Sequence, residues 1–93
     1  MIKHVVLFKF DKNAPLNEIK TKIEHLKKEI PEITDIKVGI DINFDPTSSD
    51  LSVTTDLNGV EELKIYANHP KHLEVISFIK PYVLERRVID YKV

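Results

Sequence analysis

The chain contains no cysteine. Disulfide bridges, thiolate nucleophiles and cysteine-based zinc sites are therefore excluded. Neither sign of charge dominates, with 14 Lys and Arg against 15 Asp and Glu and a net charge of −1. So balanced a surface gives no electrostatic basis for binding nucleic acid or an anionic membrane. No apolar run approaches the ~20 residues that a membrane span needs. Nor does a basic segment followed by an apolar stretch open the chain, as a secretory signal would require. Linkers, repeats and low-complexity tracts are missing too. Together these absences lead us to expect a single cytoplasmic domain over residues 1–93.

What is present suits a globular domain: 42% hydrophobic and 31% charged residues, too apolar for disorder. A chain of 93 residues buries only roughly 60–65% of its unfolded surface and often recruits a partner.

Hydrophobic periodicity divides the chain into elements. Residues 2–10 alternate as a strand does, with Ile2, His4, Val6, Phe8 and Phe10 on one face. Val5 and Leu7 make the middle of the other face apolar as well, so both sides want covering. Over residues 14–30 the spacing becomes helical, with Leu16, Ile19, Ile23, Leu26 and Ile30 on one stripe. Asn13 is placed to cap this helix, and Pro31 to end it. Residues 35–44 alternate again through Ile36, Val38, Ile40, Ile42 and Phe44, and Leu51, Val53, Thr55 and Leu57 form a third strand. The polar loop between them predicts an antiparallel hairpin. Gly39 marks a bulge or a close backbone approach. Asn58-Gly59-Val60-Glu61 has the form of a capping box and starts a second helix, with Val60, Leu63 and Ala67 facing inward. Pro70 must break that helix near His69 and begin another turn. Leu73, Ile76 and Ile79 continue the apolar stripe, Pro81 ends it, and a last strand occupies residues 85–92.

The order strand–helix–strand–strand–helix–strand predicts an α+β domain: a ferredoxin-like four-stranded antiparallel sheet with the helices on one face. The other face keeps apolar positions, and packing it on a copy of itself by two-fold symmetry covers them most simply. A homodimer is the expected partner state.

The segments KHVVLFKF, VGIDINF, DLSVTTDL, YANHPKH and RRVIDYKV resemble the stress-responsive α/β-barrel (Dabb) family, from Ile2 to Val93. Tyr-x-x-His-Pro-x-His is the most specific of these. The resemblance implies a dimeric α+β barrel, two sheets facing one another with helices outside. Some plant relatives cyclise polyketides by aldol condensation with a Tyr and a His from this helical element, roles that would fall on Tyr66 and His72. The wider group also holds haem-degrading monooxygenases and isomerases, but no residue pattern here demands haem.

Tyr66, His69 and His72 are spaced three and three, while strand parity sends His4 and Asp90 beneath the second helix. Chemically, His72 would move a proton near neutral pH. Asp90 or a backbone carbonyl would orient it. Tyr66 would donate to a developing enolate or oxyanion, and His4, Val6, Phe8 and His69 would line a small-molecule pocket. This reaction is proton abstraction beside a carbonyl, with no metal or cofactor. A metal site at His69 and His72 lacks an obvious third ligand. An alternative gives the same residues structural work: His72 and Asp90 satisfy each other, His69 caps the second helical piece, and Tyr66 is a core ring. The sequence thus leaves a stress-responsive binding protein, a cofactor-independent carbonyl enzyme and a haem-handling barrel as the functions to separate.

Overall fold

The computed structural model describes residues 1–93. Alternation at the start of the chain becomes strand β1, Ile2–Phe10, which buries Ile2, Val6, Phe8 and Phe10. Helix α1, Leu16–Glu29, buries Ile19, Ile23 and Leu26 from the stripe read in the sequence. Pro31 leaves Ile30 extended, and the helix stops there. Strands β2, Ile33–Ile40, and β3, Leu51–Leu57, form the antiparallel hairpin. Helices α2, Val60–Asn68, and α3, Pro70–Ile79, are separated at His69. A 3₁₀ turn over Lys80–Tyr82 leads into β4, Val83–Lys92.

The sheet runs β2-β3-β1-β4 with every neighbouring pair antiparallel. The helices cover the face that carries Val6, Phe8, Val38 and Val53, and one core forms between them. This is the ferredoxin-like α+β arrangement. Pairing of β1 with β4 sets His4 directly opposite Asp90, Val6 opposite Val88 and Phe8 opposite Arg86. Gly39 lies opposite Ser52, and a Cβ there would come within 3.3 Å of the Ser52 hydroxyl. The glycine therefore serves close approach between strands; the pairing irregularity sits elsewhere, between Ile33 and Asp35.

Several local expectations are corrected. Alternation through Ile42 and Phe44 does not extend β2, which ends at Ile40, and the two side chains are 85% and 81% exposed. Aspartates take over the backbone instead: Asp41 accepts from the Phe44 N–H, and Asp45 from the Thr47 N–H and hydroxyl. Such local side-chain bonds compete directly with a ladder. Phe44 is left at φ 55, a left-handed conformation costly for a bulky residue. Asn13 does not cap α1; its N–H donates to Asp11 in a turn, and the helix begins after Pro15 without a side-chain cap. Gly59, not Asn58, stands at the head of α2, also without a side-chain cap.

The helical stripes after residue 59 differ as well. Val60 and Ala67 face outward, and α2 buries Tyr66. Leu73 and Ile76 are exposed, while Val75 and Phe78 pack on the core and Ile79 is buried. The break at His69 resets the helical phase, so α3 presents a face that cannot be extrapolated from α2.

On the far side of the sheet, Lys3, Val5, Leu7 and Lys9 have no helix over them. Leu7 is 40% exposed, and Ile89 beside it 60%. Strand β4 is an edge strand, exposed on both faces beyond Val83.

Candidate functional site

Three elements deliver the polar residues. β1 brings His4 because its parity places even residues under the helices. α2 brings Tyr66, and α3 brings His72 in its first turn, two residues past Pro70. The rings meet in sequence: His4 and Tyr66 lie 5.8 Å apart edge-on, and Tyr66 and His72 lie 4.4 Å apart at a tilt. All three line one cavity of about 50 Å³ between sheet and helices. Val6, Phe8 and Val53 form its floor, and Ile23, Leu26, Val75 and Ile79 much of its wall. By the measure of roughly 10–15 Å³ for one water, it holds about four waters. That is less than the several hundred Å³ of a typical ligand cleft, at about 300 Å³ and above.

Each histidine is oriented through Nδ1. The His4 Nδ1–H donates to the Asp90 carboxylate at 2.5 Å. The His72 Nδ1–H donates to the Ala67 carbonyl at 3.0 Å. Both partners only accept, so a ring that is neutral at either position carries its proton on Nδ1 and exposes a lone pair on Nε2. Neither Nε2 is sealed away without a partner, since no buried polar side-chain atom lacks one. The chain thus carries two imidazoles of the same tautomer on one cavity.

Burial pulls the His72 imidazole below its usual 6.5, with repulsion from His4, Arg86 and His69 in the same direction and the Ala67 bond opposing them. It is therefore neutral at neutral pH. Burial also raises the Tyr66 phenol above its ordinary 10, against the Thr55 hydrogen bond and the Arg86 charge. Tyr66 stays protonated; the Thr55 hydroxyl approaches its oxygen at 3.5 Å and leaves the phenolic hydrogen available to a ligand.

The expected residues sort themselves as follows. Tyr66, His72, His4, Val6 and Phe8 converge on the cavity. Asp90 does not orient His72. Cross-strand pairing places it against His4, and the backbone carbonyl alternative supplies the His72 partner. His69 does not line the cavity; its Nδ1 accepts from the Lys71 N–H at 3.1 Å and caps α3. Arg86 is not among the site residues expected from the sequence, which reads it as the start of an edge strand, yet it lines the cavity. Its parity was legible, because residues 86, 88 and 90 of one strand share a face. No three His, Asp or Glu side chains are placed to share a metal ion. No helix is long and apolar enough to cross a membrane.

A four-stranded antiparallel sheet of this order with its helices on one face defines the class of ferredoxin-like proteins. The model of the stress responsive A/B barrel domain matches residues 2–93, and the chain belongs to that family. No curated protein matches it in sequence. Among solved structures, it resembles a dimeric protein of unknown function with a ferredoxin-like fold from Bacteroides fragilis. The identity is 27% and the TM-score 0.89, over 99% of this chain and 95% of that one. A dimeric ferredoxin-like protein of unknown function from Thermobifida fusca shares 25% identity at TM-score 0.88, over 99% and 90% of the two chains. The hydroxynitrile lyase of Passiflora edulis shares the fold at 17% identity and TM-score 0.86, over 99% and 92% of the chains.

Proposed function

We propose that this protein is a homodimer that binds a small carbonyl compound against His4, Tyr66 and His72 and moves a proton at the carbon beside the carbonyl. The observation that carries the chemistry is the pair of oriented imidazoles, each with Nε2 free, flanking a buried phenol on one cavity. A neutral imidazole accepts the proton, and the phenol donates to the developing enolate oxygen. The partly open space of about 50 Å³ takes the reacting end of such a molecule. It gives the haem-handling alternative no support. Dimerisation is supported by the bare apolar face around Leu7 and Ile89 and by the dimeric state of the relatives from B. fragilis and T. fusca.

Hydrogen–deuterium exchange tests this reading without knowledge of the substrate. Acetylacetone or butan-2-one in D₂O is followed by proton NMR with and without protein. The wild type accelerates exchange beyond an equal concentration of free imidazole. His72→Ala and His4→Ala each reduce that acceleration by about 10²–10⁴-fold. A wild type no better than imidazole would leave a binding protein without this chemistry.

A further inference from the structure

Twelve residues line the cavity, and Arg86 is the one among them with a fixed charge. No carboxylate lines it. Arg86 reaches this position by parity: it stands opposite Phe8, on the face of the exposed strand β4 that continues the helix-covered face of β1 and also carries Asp90. Asp90 is four residues further along the strand and is engaged with His4. Arg86 has no hydrogen bond or ion pair to any protein group, whereas Lys3, Lys27, Lys64 and Lys71 all reach carboxylates within 4.0 Å. A guanidinium at an otherwise apolar and imidazole-lined cavity lacks its counter-ion.

We infer that Arg86 holds the carboxylate of the ligand, and that the site takes a short keto acid rather than a neutral ketone. This rests on the small-molecule reading of the cavity and narrows it. The guanidinium presents a planar fork that matches a carboxylate through two parallel hydrogen bonds. A single fork suits one monoanionic carboxylate. With the carboxylate fixed at β4, the keto group of a chain a few atoms long falls among His4, Tyr66 and His72. The anion also offsets the positive charge that Arg86 sets beside His72 and Tyr66. Strand β4 thereby contributes twice to the site: Asp90 sets the tautomer of a base, and Arg86 sets the position of the substrate.

The test compares acetoacetate with acetylacetone, which replaces the carboxylate by a neutral acetyl group of similar shape. Binding is read from the imidazole and Tyr66 ring signals in NMR titrations of the wild type, Arg86→Gln and Arg86→Lys, in one buffer at fixed ionic strength. In the wild type, acetoacetate binds more tightly by about tenfold or more, as expected for a charge-assisted pair. Arg86→Gln brings the two affinities together by weakening acetoacetate more than acetylacetone, and Arg86→Lys restores part of the difference. Equal affinities in the wild type, or a preference that survives Arg86→Gln, would overturn the inference. If acetylacetone perturbs the rings and acetoacetate does no better, the cavity remains a small-molecule site and only the anion subsite is lost. If neither compound perturbs them, the small-molecule reading falls and this inference with it. An unchanged backbone amide spectrum in each variant shows that the fold is kept.

Discussion

At the scale of single residues, the site depends on which atoms are already engaged. His4 and His72 spend Nδ1 on acceptors and keep Nε2, so protonation of His72 removes its capacity to act as a base. Its lowered value places that loss below pH 6.5, and the raised value of Tyr66 keeps the phenol intact past pH 10. The rate of α-proton exchange should therefore fall on the acid side below about pH 6.5 and show no Tyr66-dependent decline until above about pH 10. The same shift bears on stability. Between the folded and unfolded values of His72 the unfolded chain binds more protons, so stability is present above the unfolded value and is lost as pH falls through the folded one. Urea unfolding at about pH 7.5 and about pH 5 should show a lower midpoint in acid, and His72→Gln should shrink that difference. Parity in the sequence places His4, Asp90 and Arg86 on one face, but a face is not a neighbour. The contact between His4 and Asp90 comes from strand register, and the choice of Ala67 as partner for His72 comes from the break between the helices. Neither is written in spacing alone.

At the scale of elements, alternation and helical stripes make β1, α1 and β3 legible because one periodicity governs each from end to end. Prediction fails where local polar bonds outweigh the pattern. Asp41 and Asp45 bend the chain away from β2 although Ile42 and Phe44 keep the alternation. The inward face of α3 is hidden for a different reason: the phase of a helix after a proline is set by the φ and ψ of the preceding residue, here −66 and 135 at His69. Pro70 suits this position, since the first residue of a helix has no intrahelical use for its N–H. Pro70→Ala should lower stability by about 0.4–1 kcal/mol by freeing the unfolded chain. Denaturant unfolding monitored by circular dichroism checks this. The Tyr66 and His72 ring signals should broaden in the same variant, as the junction loses its fixed dihedral.

For the whole molecule, one side of the sheet is closed by helices and the other is not. The order of strands was legible from the order of elements, and the apolar centre of the open face from Val5 and Leu7. In the proposed dimer that face is buried, so folding and association are linked. The thermal midpoint should rise with protein concentration. Leu7→Glu places an uncompensated charge in the contact and should shift the sedimenting species from twice the chain mass of 10.8 kDa to the chain mass itself. A wild type that sediments as a single chain at micromolar concentration would remove the dimer.

The gap at His69 separates two kinds of inheritance. On an uninterrupted helix, Tyr66 and His72 would sit about 120° apart around the axis, and their rings could not meet. Their contact at 4.4 Å is a property of the junction, whereas the sheet, α1 and the open face owe nothing to it. Adding or removing one residue at Asn68-His69-Pro70 would rotate α3 and dismantle the cluster while leaving most of the scaffold in place. Chemistry in this architecture can therefore be gained or lost by changes too small to register in the fold, and shape alone is a poor witness to which members of the family still have it.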